Sequence, residues 1–482
     1  MRRLASNRTA VAAQSHPASW MGALIAIGVG FVLRALFVWR HPLFTGDALV
    51  YGELAHHLLK EHVYALMDAG VLKPTLIRLP GYPLFVAACF KIFGDANYLA
   101  VLWVQVVVDL ATCLLLAATV RRLAGRRAGM WALWLAVLCP FTANYAAVVV
   151  AECLSMFCVA LAFFALERWV TVWRDGLRST RWAVVVGLAL MGAVLLRPDQ
   201  GLLAMAVVPA MLWVGWRANG RSLAGKMAPA LVASLVVVLP LAFWAARNWR
   251  VFHVVQPISP KYANDPGEEV PLGFMRWYRT WAIGFPATVK VYWQYDGDVI
   301  SMSDLPARAF DSPEQRAETA EIFAEYNQEQ ASTPKVDAEF ARLAAARVKA
   351  NPPRYYVELP VARELDMWFR PRIEYMKIPL DWWRVSTHPW NSLRAYVLGA
   401  LNVVYVGLAC MGFWRWRRAG VVVWSMVAFV ALRCALLLTI DNSEPRYTME
   451  CYPVVILLAA LAMAGAEALP RTGRNQRPKG RC

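Results

Sequence analysis

The sequence predicts an all-α polytopic membrane protein with about ten transmembrane helices, and its composition and charge distribution carry that prediction. The chain of 482 residues is 59% hydrophobic and only 17% charged, a balance typical of membrane proteins rather than soluble domains. Several stretches reach the roughly 20 apolar residues that one helical crossing needs. The net charge of +17 is concentrated in short loops between these stretches, which is typical of cytoplasmic loops and does not indicate nucleic-acid binding.

Apolar stretches predict the individual spans, at about 19–39, 98–120, 129–148, 153–169, 183–196, 199–216, 227–246, 392–413, 421–440 and 452–468. The basic loops, and the basic tail after Pro470, fall on one side when both termini are cytoplasmic. Residues 1–8 are basic and precede the first span without a cleavage site, which favours a retained first helix. We therefore predict a multi-pass protein of the plasma (inner) membrane.

One apolar stretch, 79–94, is too short for a simple crossing. As a helix it would be about 24 Å long, against a hydrocarbon core of roughly 30 Å, and it carries Lys91. A full crossing would also place the basic loop 121–127 outside. We predict an interfacial or re-entrant helix, with a true crossing as the alternative.

These spans divide the chain into three parts. Residues 1–246 form an N-terminal transmembrane catalytic module with a first periplasmic loop at 40–97, and 391–482 hold the C-terminal transmembrane helices and the basic cytoplasmic tail. Between them, 247–390 are predicted to be a periplasmic segment, rich in aromatic residues and partly helical. Its helices are expected to start near Ser312 and to end before Pro352.

Conspicuous polar motifs fall on the predicted outer face. They are Gly46-Asp47 after the first span, Arg78-Leu79-Pro80-Gly81-Tyr82-Pro83, Ala151-Glu152, Leu196-Arg197-Pro198 and Glu444-Pro445-Arg446-Tyr447. The inner loops contain no Gly-rich phosphate-binding loop and no Walker pattern. Any chemistry is therefore expected at the outer, periplasmic side.

In kind and order, these motifs resemble those of the GT-C class of integral-membrane glycosyltransferases. The similarity is greatest to the protein mannosyltransferase branch (family 39-like), which includes the lipid A aminoarabinose transferases. It covers residues 19–200 well and the C-terminal motif moderately, whereas the long outer segment matches only loosely. The resemblance implies a GT-C-like helical bundle.

The resemblance also implies an inverting glycosyltransferase that moves a sugar from a polyprenyl-monophosphate carrier to an acceptor on the extracytoplasmic face. Asp47 matches the position that activates the acceptor. Glu152 matches a second acid, which is often Asp in the family. Arg197 matches a basic position that meets the carrier phosphate, where some members have Lys.

The chemistry of the side chains agrees with these roles, because inverting displacement needs a base near the acceptor and positive charge near the leaving phosphate. The predicted catalytic residues are Asp47 and Glu152. Guanidinium groups grip phosphate oxygens in pairs, and the predicted phosphate-binding residues are Arg78, Arg197 and Arg446. The substrate cavity is predicted to include Tyr51, Pro80, Tyr82 and Tyr447.

Several of these residues also have a purely structural interpretation. Asp47 and Glu152 are suited to stabilising helix N-termini. Arginines at the interface extend to lipid headgroups, and Tyr82 suits an interfacial anchor. For Asp109, near the middle of its span, we predict a structural pair with Arg34 or Arg433.

Two other functions remain as alternatives. A transporter or flippase for lipid-linked substrates would have inverted repeats and a midplane cavity, which the sequence does not suggest. A ligase that uses diphosphate-linked glycans would also suit an outer-facing site. The expected partners are the lipid-linked donor, membrane lipids and a lipid, glycan or protein acceptor, with the carrier tail beside residues 80–93. The sequence specifies neither the sugar nor a cofactor, and a divalent cation beside the two acids stays open.

Overall fold

The computed structural model of the protein describes residues 17–44, 46–177 and 179–465. The basic stretch 1–8 and the basic tail after Pro470, on which part of the predicted orientation depends, lie outside the described residues. Within the described part the chain is overwhelmingly α-helical, which confirms the predicted fold class.

The N-terminal half contains ten α-helices and one hairpin. In chain order they are α1 (Pro17–Arg40), α2 (Gly46–Lys60), β1 (Ala65–Asp68), β2 (Val71–Pro74), α3 (Gly81–Phe93), α4 (Tyr98–Ala124), α5 (Arg126–Val137), α6 (Pro140–Tyr145), α7 (Glu152–Arg174), α8 (Thr180–Leu196), the 3₁₀ turn Pro198–Gln200, α9 (Gly201–Trp216) and α10 (Leu223–Phe252).

The C-terminal half begins with short helices and ends with long ones. They are α11 (Leu272–Arg279), α12 (Phe285–Ala287), a π-helical turn at Thr288–Tyr292, the 3₁₀ turns Met302–Asp304 and Ala307–Ala309, α13 (Pro313–Glu329), α14 (Pro334–Ala350), a second π-helical turn at Arg354–Glu358, α15 (Leu359–Phe369), α16 (Pro389–Trp416), α17 (Val421–Leu437), the 3₁₀ segment Pro445–Cys451 and α18 (Tyr452–Ala462).

Six helices of the described chain are long and apolar enough to cross a membrane, and α3, α8 and α17 are shorter apolar helices. Each predicted span except 129–148 falls on a helix, which supports a multi-pass membrane protein. The span at 129–148 was wrong as a single helix, because α5 ends at Val137 and a new helix begins at Pro140. Proline lacks the N–H that would continue the ladder of hydrogen bonds.

The last helix, α18, lies at the centre of the bundle. Every one of its residues is buried, which suits its wholly apolar sequence, since a helix that is apolar all round belongs in an interior. A Cβ at Gly412 of α16 would stand 1.8 Å from the backbone oxygen of Leu458, so only glycine permits this close packing. Because α18 is central, the 3₁₀ segment Pro445–Cys451 that precedes it lies in the middle of one end of the bundle.

Helix α3 corresponds to the short stretch 79–94 of the sequence prediction. It has 13 residues, buries one side against α2 and α4, and exposes Leu84, Ile92 and Phe93. A Cβ at Gly81 would stand 2.5 Å from the backbone oxygen of Leu195, so the start of α3 lies directly on the end of α8. Its placement at the membrane interface stays a prediction.

The hairpin β1–β2 inside the first loop was not predicted. The strands pair antiparallel with Ala65 opposite Pro74. Ala69 and Gly70 make the turn with φ values of 47° and 81°, as a two-residue hairpin turn requires. Alanine rarely adopts this conformation, so residues 69–70 do not form a recognisable turn motif.

The segment 247–390, which was predicted to be periplasmic and which we call the outer segment, has its own aromatic core. In this core Phe274 stacks on Tyr295 with ring centroids 3.5 Å apart. The helix predicted near Ser312 is α13, and the Ser312 hydroxyl caps it by accepting from the N–H of Gln315. Helix α14 ends at Ala350, before Pro352 as predicted. Asp337 of α14 accepts hydrogen bonds from the first N–H groups of α11, which fixes the two helices together.

Candidate active site

A cavity of about 560 Å³ opens where the first loop, the outer segment and the end of the helical bundle meet. Its wall combines apolar and aromatic side chains with a dense set of charges. The charged lining residues are Asp47, Arg78, Glu152, Arg197, Asp199, Lys261, Asp441, Glu444 and Arg446. Both predicted acids and all three predicted phosphate-binding arginines therefore line one cavity.

Asp47 lies in the first turn of α2, and both of its carboxylate oxygens accept from guanidinium groups. Arg78 donates to Oδ1 at 3.0 Å and Arg446 donates to Oδ2 at 2.6 Å. These partners come from positions 31 and 399 residues away along the chain. Asp47 thus joins the first loop to the C-terminal motif, a role well beyond helix capping.

The same two contacts control the ionisation of Asp47. Burial alone would favour the neutral acid, but the guanidinium groups of Arg446 and Arg78 hold the pKa of Asp47 well below its ordinary value. Burial and the nearby Asp47 charge raise the pKa of the neighbouring Tyr51 to about 12. At neutral pH the cavity therefore holds an ionised Asp47 beside a neutral phenol.

The loop that carries Arg78 is held in place by the chain that follows α10. The N–H of Leu76 donates to Asp265 at 2.8 Å, and Arg247 donates to the carbonyl oxygen of Thr75 at 2.8 Å. The close packing of Gly81 on α8 fixes the other end of this loop. Arg78 is therefore anchored on both sides.

Glu152 and Arg197 form the second centre of charge. Glu152 is the first residue of α7 and is almost fully buried, while Arg197 follows the last residue of α8. Arg197 donates to Glu152 at 2.6 Å and to both oxygens of Asp199 at 3.1 and 3.3 Å. Glu152 thus faces an arginine side chain, and helix-terminal stabilisation is not its sole role.

Glu450 and Arg433 complete this centre from the opposite side. The Nε of Arg197 lies 2.9 Å from Glu450, and Arg433 lies 2.9 Å from Glu450 and 2.7 Å from Asp199. The side chains of Arg433 and Glu450 have no exposed area. Burial raises the pKa of Glu450, an effect that the two guanidinium groups oppose.

The C-terminal motif supplies the wall between the two centres. Arg446 also pairs with Glu444, and the hydroxyl of Tyr447 donates to Glu444 at 2.8 Å. The Tyr447 ring lies under both Arg197 and Arg446, 5.8 and 5.7 Å from their guanidinium carbons. The predicted lining residues Tyr447 and Tyr51 are therefore in the cavity.

Two predicted cavity residues, Pro80 and Tyr82, are not among the lining residues. Pro80 immediately precedes α3 as its N-cap residue. Tyr82 is fully buried behind Tyr51, and its hydroxyl donates to Gln105 of α4 at 2.6 Å. This hydrogen bond fixes the phenol inside the helix packing, so Tyr82 is neither a cavity residue nor an interfacial anchor.

Sequence reasoning assigned no role to Glu450, Asp199 or Asp441. Glu450 lies just before a membrane-spanning stretch, as Glu152 does, and that shared position was the available signal. Asp199 is two residues from Arg197, within a polar tip between two spans. Arg433 was considered only as a structural partner for Asp109.

The structural pair predicted for Asp109 is formed with Arg34. Nε of Arg34 donates to Asp109 at 2.7 Å, and both residues are buried. The remaining N–H groups of Arg34 face the carbonyl oxygens of Gly30, Val137 and Ala136 and the thiol of Cys113. Neither residue lines the large cavity.

The outer rim of the cavity is formed by the chain after α10 and by the outer segment. Asp441 is buried and lies 3.2 Å from Arg279 and 3.7 Å from Lys261. Tyr262, Tyr292 and Trp293 add aromatic surface. The outer rim is therefore chemically different from the arginine-rich interior of the cavity.

A divalent cation between Asp47 and Glu152 stays a prediction, and the carboxylates of both residues are paired with arginines. Both oxygens of Asp47 accept from arginines, and Glu152 is paired with Arg197. Across residues 17–44, 46–177 and 179–465, no group of three or more carboxylate, histidine and cysteine side chains is placed to hold a metal ion.

Comparison with known families agrees with the sequence motifs. Residues 72–244 match the family described as dolichyl-phosphate-mannose-protein mannosyltransferase, which confirms the resemblance to the GT-C glycosyltransferases. The match includes Arg78, Glu152 and Arg197, whereas Asp47 and the motif at 444–447 lie outside it. Among curated proteins, none matches the chain.

The chain is also similar, at low sequence identity, to solved structures of two membrane proteins. The archaeal oligosaccharyltransferase AglB from Archaeoglobus fulgidus, in complex with an inhibitory peptide and a dolichol-phosphate, is 12% identical with a TM-score of 0.48. The alignment covers 93% of this chain and 50% of that one, so the present chain spans about half its length. ArnT from Cupriavidus metallidurans, bound to undecaprenyl phosphate, is 15% identical with a TM-score of 0.40, over 93% of this chain and 78% of that one.

Proposed function

We propose that the protein is an inverting glycosyltransferase that moves a sugar from a polyprenyl-monophosphate carrier to an acceptor on the extracytoplasmic face of the membrane. One observation carries the proposal: a single cavity brings the ionised carboxylate of Asp47 together with three arginines from distant parts of the chain. A base beside concentrated positive charge is what displacement of a phosphate leaving group needs.

In the proposed reaction the acceptor hydroxyl oxygen attacks the anomeric carbon of the donor from the face opposite the phosphate. The new carbon–oxygen bond forms as the bond to the phosphate oxygen breaks, which inverts the anomeric configuration. The acceptor proton passes to Asp47. The bonding electron pair leaves with the phosphate, whose charge Arg197 and Arg446 stabilise.

The geometry of Asp47 suggests how donor binding prepares the base. While two guanidinium groups hold it, Asp47 is a weak base, because its pKa is strongly depressed. A donor phosphate competes for Arg446 and Arg78, since guanidinium binds phosphate as well as carboxylate. Each arginine that turns towards the phosphate raises the basicity of Asp47, so proton transfer becomes favourable once the donor is bound.

Glu152 has a supporting part in this scheme. It is buried and paired with Arg197, so we propose that it orients Arg197 and the acceptor rather than accepting the proton itself. The carrier tail is proposed to lie along the exposed apolar side of α3, which presents Leu84, Ile92 and Phe93. The acceptor is proposed to enter through the aromatic outer rim.

Lipid analysis of a deletion strain tests the proposal. Loss of the gene should cause one polyprenyl-phosphate sugar to accumulate, and the wild-type gene should return it to its normal level. The Asp47→Asn protein, produced in equal amount in the membrane, should not. Absence of any accumulating monophosphate-linked sugar, or full restoration by Asp47→Asn, would contradict the proposed function.

Two measurements separate the alternatives, the lipid analysis for a ligase and a transport assay for a flippase. A ligase for diphosphate-linked glycans would cause a diphosphate species to accumulate, which mass spectrometry distinguishes by one phosphate group. A flippase would move labelled donor across proteoliposomes that contain no acceptor. We expect no such movement.

A further inference from the structure

We propose that Asp199, Arg433 and Glu450 are positioning residues that hold the Arg197 guanidinium ready to bind the donor phosphate. The inference rests on the proposed function, because it assigns to Arg197 the contact with that phosphate. These three residues and Arg197 form a closed ring of alternating charge, in which each carboxylate lies between two arginines. We call this set the charge ring.

Distances around the charge ring are all within ion-pair range. Arg197 lies 2.9 Å from Glu450 and 3.1 Å from Asp199, and Arg433 lies 2.9 Å from Glu450 and 2.7 Å from Asp199. The members come from the end of α8 with its following turn, from α17, and from the segment before α18. The ring therefore joins the N-terminal and C-terminal parts of the site.

The hydrogen bonds of Arg197 leave donors for a ligand. A guanidinium group has five N–H donors. Nε and Nη2 each donate to Asp199, and Nη1 donates to Glu152. Within the described residues, one N–H on each terminal nitrogen thus has no hydrogen-bond partner, and the side chain lines the cavity. Two donors in one rigid plane suit two oxygens of a phosphate.

Arg433 extends the effect of the ring to the cavity wall. Its Nε donates to the carbonyl oxygen of Tyr447 at 2.9 Å, and the Tyr447 ring lies beneath the guanidinium groups of Arg197 and Arg446. Arg433 itself has no exposed side-chain area. It cannot meet the substrate directly, so its effect must pass through Arg197 and Tyr447.

Glu450 offers the most direct test, because Glu450→Gln keeps the shape of the side chain but removes its charge. If the ring positions Arg197, the substitution should weaken binding of a polyprenyl phosphate to the purified full-length protein by about tenfold, the loss expected when a two-point phosphate contact becomes loose. If Glu450 only competed with phosphate for Arg197, the substitution would strengthen binding. That result would overturn the proposal.

A double-mutant cycle distinguishes positioning from general support of the fold. In the Arg197→Lys background the rigid guanidinium plane is absent, so Glu450→Gln should change binding less than about twofold. Equal effects of Glu450→Gln in both backgrounds would mean that Glu450 does not act through Arg197. Should Glu450→Gln fail to yield folded protein, Glu450→Asp keeps the charge with a shorter reach and carries the same cycle, with a smaller expected loss.

Asp109→Asn is the matched control, since it removes a buried carboxylate that is paired with an arginine outside the cavity. It should lower thermal stability without changing polyprenyl-phosphate affinity. A comparable loss of affinity in this variant would overturn the proposal. Failure of the wild-type protein to bind polyprenyl phosphate would refute the proposed function itself. Failure of the charge-ring proposal alone would leave wild-type binding intact and would appear only in the variants.

Discussion

Two ion-paired arginines, the fully buried Arg34 and the partly exposed Arg197, differ in how many of their N–H donors the protein itself uses. Both are paired with carboxylates. Arg34 directs all five of its N–H donors to Asp109, backbone carbonyl oxygens and a thiol, whereas Arg197 keeps two donors without a hydrogen-bond partner in the described chain. The two arginines therefore differ in unused donor capacity, and only that of Arg197 adjoins the large cavity.

The two arginines also differ in the size of the cavity beside each ion pair. The cavity beside Asp109 has a volume of about 10 Å³, too small for any substrate, while the cavity beside Arg197 has about 560 Å³. A fully satisfied ion pair in a span ties helices together. In the proposed function, a partly satisfied pair at the wall of a large cavity keeps N–H donors for a ligand.

The largest expected effect is on catalysis at Asp47. Replacing Asp47 with Asn keeps the size but removes the base, and should lower the transfer rate by roughly 10²- to 10⁴-fold. Polyprenyl-phosphate affinity should not fall, because Arg78 and Arg446 lose a competing carboxylate. Transfer rates and binding curves on the same preparation measure both quantities. A normal rate in the variant would refute the assignment of the base.

The second-largest effect is expected for the free energy of unfolding, when the buried ion pair of Arg34 and Asp109 is broken. Asp109→Asn leaves Arg34 without its buried counter-charge and should destabilise the protein by about 3–5 kcal/mol. Thermal unfolding in detergent measures the loss, and the transfer rate per folded molecule should be unchanged. A lower rate in folded protein would remove the distinction between the two arginines.

Arg197→Lys should weaken donor binding by about tenfold, because lysine keeps the charge but cannot present two N–H groups in a fixed plane. Titration with a polyprenyl phosphate provides the measurement. Arg217→Lys, at the end of α9 and outside the cavity, is a control for the same chemical change. Affinity equal to that of the wild type in Arg197→Lys would show that charge alone suffices.

A smaller effect is expected in the pH dependence of Arg446→Gln. With Arg446 removed, only Arg78 opposes the effect of burial and the pKa of Asp47 rises, so the acidic limb of the pH–rate profile should move upwards by roughly one to three pH units. In the wild type, Asp47 stays ionised down to pH values below the ordinary carboxyl range. Its ion pairs therefore stabilise the fold at neutral pH and are lost only as the pH falls through that depressed pKa.

Lys261 gives the smallest expected effect. Its side chain is 58% exposed and lies 3.7 Å from the buried Asp441, which has a closer partner in Arg279 at 3.2 Å. Loss of this long contact from an exposed lysine should cost at most about 1 kcal/mol. Lys261→Ala should leave the unfolding temperature and donor affinity almost unchanged. A large loss of donor affinity would place the phosphate at the outer rim instead of the interior.

Much of the fold was predictable because apolar runs of membrane length and a basic-loop pattern are local signals. The break between α5 and α6 was marked by Pro140 but hidden by continuous hydrophobicity. The hairpin β1–β2 was missed because its turn uses Ala69, which seldom has a positive φ. The first error arose because hydrophobicity outweighed a proline signal, and the second because a residue with no turn preference makes the turn.

The site was predictable where a charge interrupted an otherwise apolar pattern, as with Asp47, Glu152 and Arg197. Partners could not be predicted, because Asp47 meets Arg446 across 399 positions of the chain. Tyr82 was misplaced since sequence gives the helix but not which side faces the cavity. The pairing of Glu450 with Arg433 and Arg197 depends on the central position of α18, which no local pattern in the sequence indicates.

The most direct test is the position of the phosphate in a structure of the protein bound to a polyprenyl phosphate. We predict phosphate oxygens within hydrogen-bonding distance of the terminal nitrogens of Arg197, and Arg446 turned from Asp47 towards the phosphate. A phosphate bound elsewhere, with Asp47 still paired to both Arg78 and Arg446, would contradict the account.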